Sequence, residues 1–331
     1  MKLEIAGAGI ITTAGMSANE ILQNHQIDQA NHGIQNITLN SIDGNALRRT
    51  TQYSKVLIKS AELALEQSGI DLNQVNKERF GTIINTVYGP IETNLKFAKS
   101  VLKGDPDLAS PMVFSNTVTN ASLGHLCITF GFKGDSTFLM GSNPIKYSDF
   151  LFNKKTIDHI LVAGIEEYSE GLAMEYQNFY SDNLKHAPAE CGAALVLRNE
   201  TNEDALGYIY KSYGMSLLSN PYWETANENE FMENLNLLYK EVTNDFEDID
   251  LVVLGAVGTP LEEAEKEFYS HLEFQSIREF KSCIGEVFGA SLVAFIVLAL
   301  QIFNENRDIR KIAVNHLDVS MNYFTVIIGR E

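Results

Sequence analysis

The stretch KIAVNHLDVSMNYFTVIIG, residues 311–329, decides how this chain folds. Two apolar runs, KIAVNHL (311–317) and YFTVIIG (323–329), flank the break DVSMN and are rich in β-branched and aromatic side chains. Such runs suit a pleated, buried strand. The same ending occurs earlier, where HILVAGIEE (159–167) and GAALVLR (192–198) form another pair of apolar runs. Two segments that each close on such a pair are what an internal structural duplication leaves behind.

Working outward, strands are predicted over 3–11, 80–86, 207–213 and 250–257. Helices are predicted over 49–68 (ending at Gly69), 93–103, 230–242, 262–272 and 290–303, from their 3.6-residue apolar spacing and caps. Continuous apolar strands alternating with helices imply α/β architecture with sheets covered on both faces. The polar segment 199–205 (NETNEDA) divides an N-terminal half, 1–200, from a C-terminal half, 205–331, within one integrated domain. The run GASLVAFIVLALQIF (289–303) is shorter than the roughly 20 residues of a spanning helix, so it is predicted to be a core helix, with no membrane span.

With 331 residues, 45% hydrophobic and 21% charged, the composition is that of an ordinary soluble globular protein. The opening MKLEIAGAGIITTAG reads as a buried strand rather than a secretory leader. A net charge of −18 argues against nucleic acid or an acidic membrane as a partner. The charge is uneven: residues 200–273 hold 17 acids against Lys211, Lys240 and Lys266, a local balance of −14. That lobe is a solvated face, and it also repels acidic partners.

Cys127, Cys191 and Cys283 show no CxxC pairing, which points to a reducing, cytoplasmic setting and packing roles, Cys127 on an apolar strand. The histidines at 25, 32, 125, 159, 186, 271 and 316 lack metal-ligand spacing, so no metal is expected. GAGII near the start lacks the full GxGxxG spacing of a dinucleotide loop, and no cofactor is expected.

Six segments, in order along nearly the whole chain, resemble the β-ketoacyl synthases of the thiolase fold. IAGAGIITTAG (5–15) is similar to their opening strand. SPMVFSNTVTNASLGHLCITFGFKG (110–134) is similar to the segment ahead of their nucleophile. HILVAGIEE resembles LAGGxE, and AECGAALVLR (189–198) resembles GEGAGxLVL. VGTPLEEAE (257–265) resembles GTGTPxxD, and KSCIGEVFGAS (281–291) resembles KSxxGHxxGAA. The resemblance implies a thiolase-like αβαβα layered fold built from two duplicated halves.

Those enzymes use a cysteine nucleophile and two histidines, the thiolate to carry the acyl chain and the imidazoles to assist decarboxylation. Here the first histidine's place is Gly255 and the second's is Glu286. The nucleophile's place falls within 139–143, at Asn143 in one register and near Leu139 in the other, and neither offers a cysteine. The glycine-rich loop GFGGTN reads LDVSMN (317–322). Lys281 is retained, and a structural ion pair accounts for it. Ser142 suits a helix N-cap better than a nucleophile.

The resemblance therefore implies a non-catalytic homologue, a chain-length-factor-type subunit of a type II polyketide system such as the aryl-polyene or flexirubin type. Its implied partners are an active β-ketoacyl synthase, in a heterodimer through a central strand, and, indirectly through that partner, acyl carrier protein. Phe114, Val118, Thr119, Asn120, Leu123 and Phe138 are the expected acyl-tunnel and interface positions. Two alternatives stand beside it: an active acyltransferase or condensing enzyme using Ser142 or Glu286, and a partnerless homodimer that binds an acyl chain or lipid.

Overall fold

The computed structural model describes residues 2–24, 33–41, 50–103, 109–180, 185–199, 204–223, 225–245, 248–272 and 274–331. His25, His32 and most of the 199–205 boundary lie outside them. The first five strands are β1 (Leu3–Thr12), β2 (Phe80–Thr86), β3 (Ser136–Met140), β4 (His159–Glu166) and β5 (Cys191–Arg198). The next five are β6 (Gly207–Ser216), β7 (Leu251–Val253), β8 (Ser276–Arg278), β9 (Lys311–Asp318) and β10 (Asn322–Gly329).

They line up as β3-β2-β4-β5-β1-β6-β10-β9-β7-β8, so each set of five repeats one order: third, second, fourth, fifth, first. Directions repeat as well. The second strand runs parallel to the third and fourth, and the fifth is antiparallel to its two neighbours. The two sets meet where Leu3–Ile5 pairs antiparallel with Gly207–Ile209. The paired apolar runs read from the sequence are β4 with β5 and β9 with β10.

The α-helices in chain order are α1 (Ala18–Gln23), α2 (Gln52–Ser68), α3 (Ile91–Lys103), α4 (Pro111–Ser115), α5 (Ala121–Phe130) and α6 (Pro144–Asn153). After them come α7 (Glu170–Tyr180), α8 (Glu228–Asp245), α9 (Glu262–Ser270), α10 (Lys281–Ile284) and α11 (Ser291–Glu305).

Strand alternation sorts their faces into layers. On β4, Ile160 and Val162 face one core, whereas Leu161, Ala163 and Ile165 face another. On β9, Ile312 and Val314 join that first core, while Ala313 and Leu317 face a third. The two sets of five serve as a first sheet (β1 to β5) and a second (β6 to β10) joined at β1 and β6, and the shared core between them holds α11, apolar around its whole circumference, together with part of α6. Helices α2 and α5 cover the outer face of the first sheet, and α8 and α9 that of the second. This is a five-layer αβαβα arrangement. The segment Phe288–Glu305 is long and apolar enough to cross a membrane, but 83% of it is buried here, as expected for a core helix.

Several predicted elements shift. The strand expected over 250–257 stops at Val253, because the N–H groups of Gly255 and Ala256 turn to the Glu265 carboxylate, at 2.8 and 2.6 Å. The helix expected from 49 begins at Gln52, where the Thr51 hydroxyl caps it by accepting from Ser54 N–H. Cys127 lies on helix α5 rather than on a strand, and it is half-buried. Ser122, Leu126 and Phe130 bury at i, i+4 and i+8, a helical period that the β-branched residues nearby had masked. Near the N-terminus, a Cβ at Gly7 or Gly9 would run into the carbonyls of Ala64 and Ser60, so these glycines let α2 lie close on β1.

Candidate functional site

β3 ends at Met140, the chain turns through Gly141 at φ +53°, and α6 begins at Pro144. The helix cap is Asn143, not Ser142: Asn143 Oδ1 accepts from the N–H groups of Ile145 and Lys146, both at 3.0 Å. Its Nδ2 donates to Ser212 Oγ at 2.8 Å, which ties the turn to β6. An amide caps as well as a hydroxyl and here is one residue nearer the helix. Ser142 is half-buried, and its N–H donates to Asn85 Oδ1 at 3.2 Å. A side chain at Gly141 would collide with Ser320 Oγ and approach Asp318 Oδ1 to 3.4 Å. The loop after β9 therefore closes directly over this turn.

Glu286 lies just after α10 and is buried. Its Oε2 is 2.6 Å from Lys281 Nζ and accepts from Tyr222 Oη at 3.2 Å; its Oε1 accepts from Phe288 N–H at 3.1 Å. Phe288 holds φ +40°, a left-handed conformation uncommon outside glycine. Burial, reinforced by the negative charge of Glu286, pushes the Tyr222 phenol far above its ordinary range, so it stays a donor. Its hydroxyl also lies 3.3 Å from the Leu317 carbonyl.

At Gly255 a Cβ would lie 2.6 Å from the His316 backbone nitrogen. The position has no room for a side chain of any kind. Glu265, which receives the Gly255 and Ala256 N–H groups, also accepts from Tyr323 Oη at 2.6 Å, and burial raises its carboxyl above the usual range.

The turn at 141–143, Gly255 and Glu286 thus converge on one segment, residues 316–320. Ser320 faces the turn, the His316 backbone abuts Gly255, and the Leu317 carbonyl reaches Glu286 through Tyr222.

His316 is a residue that sequence reasoning dismissed as scattered. It is buried, with Nε2 3.6 Å from Asp318 Oδ2, and among the described residues neither ring nitrogen has a hydrogen-bond partner. Burial works against the Asp318 carboxylate, yet the His316 imidazole and the Ser320 N–H hold it below its ordinary range. The available signal was register: Val253 pairs with Val314, so extending the ladder by two residues brings Gly255 beside His316.

Glu166 was missed too. It accepts from the N–H groups of Val87, Tyr88 and Gly289, joining the end of β2 to the segment before α11, and burial pushes its pKa up to about 8. Burial likewise raises Glu167 and Glu190 to about 7. Among the described residues no group of three His, Cys, Asp or Glu side chains is placed to hold a metal ion.

The six wall candidates lie around β3, α4 and α5. Phe114 and Val118 project outward at 58% and 51% exposure, while Leu123 and Phe138 pack on the core of the first sheet. Asn120 precedes α5 without making a side-chain cap, and Thr119 packs against the turn at Gly89. Phe114 meets Phe97 of α3 at 5.3 Å between ring centroids, and Cys127 Sγ on α5 lies 3.6 Å from Ser136 Oγ on β3. Among the described residues between 102 and 174, eight large apolar side chains are exposed: Leu102, Met112, Phe114, Val118, Ile128, Met140, Phe150 and Met174. β3 itself is the open edge of the first sheet, five residues long with neither charge nor proline. The opposite edge, β8, has three residues and carries Arg278. Of the two strands that end the strand order among the described residues, β3 is the one without a charge to discourage pairing with another chain.

No family model matches the sequence. The chain is similar to the 3-oxoacyl-[acyl-carrier-protein] synthase 2 of Coxiella burnetii, 23% identical over 138 residues, which cover 40% of this chain and 33% of that protein. The match thus spans about a third of the curated relative. Among solved structures, a β-ketoacyl synthase from Burkholderia phymatum STM815 superimposes with TM-score 0.81 at 15% identity, covering 100% of this chain and 99% of that one. The ishigamide ketosynthase/chain length factor gives 0.78 at 14% identity, with coverage of 100% and 99%. AntDE:AntF, a type II polyketide acyl-carrier protein in complex with its ketosynthase, gives 0.75 at 18% identity, with the same coverage. The fold is therefore the thiolase-type fold of the β-ketoacyl synthases. Its solved neighbours include a chain-length-factor assembly.

Proposed function

We propose that this chain is a non-catalytic ketosynthase homologue, a chain-length-factor-type subunit of a type II polyketide synthase of the aryl-polyene kind. The observation that carries the reading is the state of Glu286. Where the resemblance expects the second catalytic imidazole, a buried carboxylate is ion-paired to Lys281 and hydrogen-bonded by Tyr222 and Phe288 N–H. A carboxylate there opposes the negative charge that must develop on an acyl enolate. The packing of Gly255 against β9 and the closure of Ser320 over the turn at 141 point the same way.

In this reading the condensation runs in an active ketosynthase partner. The partner's thiolate holds the growing acyl chain as a thioester. Carrier-bound malonyl loses carbon dioxide, the resulting enolate attacks that thioester carbonyl, and the thiolate leaves. This chain contributes the β3 edge and the apolar surface around α4 and α5, with Phe114, Val118, Thr119, Asn120, Leu123 and Phe138 as the tunnel-wall and interface positions. The acidic second lobe leaves carrier docking to the partner by like-charge repulsion.

The test is acyl loading of the isolated chain by carrier-bound acyl thioester, read by intact mass. The expected result is unmodified mass. A covalent adduct on Ser142 or elsewhere would replace this proposal with the acyltransferase alternative. A stable homodimer that retains a lipid and ignores a ketosynthase would replace it with the partnerless one.

A further inference from the structure

Beside Glu286, among the described residues, Tyr176, Tyr222 and Phe288 form a small buried cluster apart from the three main cores, with Tyr88 half-buried against it. The Phe288 ring meets Tyr88 edge-on at 4.9 Å and Tyr176 at 5.1 Å between centroids. Glu286 is fixed from outside the cluster, by Lys281 and by two main-chain bonds of 3.0 Å, its carbonyl accepting from Ala189 N–H and its own N–H donating to the Ala187 carbonyl. Phe288 N–H in turn donates to Glu286 Oε1. These walls hold together without Tyr222, which arrives on the segment between β6 and α8. There its N–H donates to Asn220 Oδ1 at 2.9 Å, and its ring is buried while Leu218 and Trp223 of the same segment are exposed.

We propose that Tyr222 is a plug: with its own side chain the protein fills a chamber that the surrounding segments form without it, and whose chemistry selects a hydroxyl-bearing aromatic ring. The Tyr222 ring lies 6.2 Å from that of Tyr176, and its centroid is 5.6 Å from Lys281 Nζ. Its hydroxyl has two oxygen acceptors within reach, Glu286 Oε2 at 3.2 Å and the Leu317 carbonyl at 3.3 Å. A ring lacking that hydroxyl would leave the buried carboxylate short of a hydrogen bond, and a missing partner costs more than a made bond gains. The chamber is expected to persist once the ring is gone, because packed walls relax only in part when a large side chain is removed. Tyr222 and Glu286 are both buried, so the plug withholds Glu286 from an outside ligand. The proposal stands on this packing and does not depend on the ketosynthase reading.

The test uses the full chain carrying Tyr222→Gly, with p-cresol, the tyrosine side chain as a free molecule, and toluene, the same ring without the hydroxyl. Isothermal titration calorimetry is expected to show p-cresol binding the variant at least about tenfold more tightly than toluene, and not binding the wild type. Failure of p-cresol to bind a variant with an intact circular dichroism spectrum would mean that the chamber collapses without Tyr222, and would overturn the proposal. Equal affinity for the two rings, or equal binding to the wild type, would overturn it as well. Should Tyr222→Gly unfold on its own, recovery of the native spectrum in p-cresol but not in toluene is the supporting result, and no recovery in either overturns the proposal. The more conservative Tyr222→Phe is expected to fold, to melt below the wild type and to gain nothing from p-cresol, because its ring still fills the chamber. Melting at the wild-type temperature would show that the hydroxyl is not recognised and would count against the plug equally.

Discussion

Lys281 Nζ lies 2.6 Å from Glu286 Oε2, with both side chains buried five residues apart around a short helix. Two charges withdrawn from water hold together only as a pair, so removing one leaves the other stranded. Glu286→Ala should therefore lower stability by about 3–5 kcal/mol in urea denaturation. The double variant Lys281→Met/Glu286→Leu should recover most of that loss. Equal destabilisation by single and double variants would show that the pair is not what the site depends on.

If the proposed reading holds, placing histidines at Gly255 and Glu286 does not create a catalytic triad in this frame. Gly255→His has no space, since its Cβ meets the β9 backbone at 2.6 Å, and overpacking of this kind costs about 1–3 kcal/mol or more. Glu286→His leaves the turn at 141–143 without a thiol. Neither variant should load an acyl group in an intact-mass assay, and Gly255→His should also melt at a lower temperature.

Stability should fall as pH rises from about 4.5 to about 8. Burial raises Glu166 to about 8 and Glu167 and Glu190 to about 7, so the folded chain binds protons that the unfolded chain has released. Their contribution is fully present below the ordinary carboxylate range and is lost through these folded values. Glu262 acts oppositely: although burial works against it, its hydrogen bonds to Lys266, Gly258 N–H and Lys185 hold it at about 2, so its contribution is lost only in acid. Melting temperature followed from pH 5 to 8.5 checks the sign, and Glu166→Gln should flatten the slope.

Phe114 and Leu123 are both proposed wall residues, but they differ in how far they are buried in the single chain. Both are expected to lengthen the product when replaced by Ala in the reconstituted complex. Leu123 is half-buried against the core, so its loss should also cost stability, though less than the about 2–5 kcal/mol of a fully buried truncation. Phe114 is largely exposed in the single chain and should cost little there. Product length by mass spectrometry, alongside denaturation of the free subunit, distinguishes the two effects.

The architecture was legible where burial on both faces writes continuous apolar runs: β4, β5, β9, β10 and α11 all stand near their expected positions. It was less legible where side chains rather than pattern end an element. β7 stops because Glu265 captures two backbone N–H groups, and α6 starts at the amide of Asn143 rather than the hydroxyl of Ser142. Gly255 and Glu286 were singled out one at a time, by the resemblance of their segments to those of the ketosynthases. Their convergence on residues 316–320 could not, because the ladder between β7 and β9 joins segments about 60 residues apart. His316 looked incidental for the same reason. The exposed surface around β3 was visible only as unremarkable apolar residues until the sheet order placed that strand at an edge.

The most direct measurement is carbon dioxide release and carbon–carbon bond formation from carrier-bound acyl and malonyl thioesters, with this chain alone, an active ketosynthase alone, and the two together. The account predicts no turnover by this chain alone, and turnover by the pair that vanishes when the ketosynthase's nucleophilic cysteine is replaced. Condensation by the purified chain without a companion would contradict it.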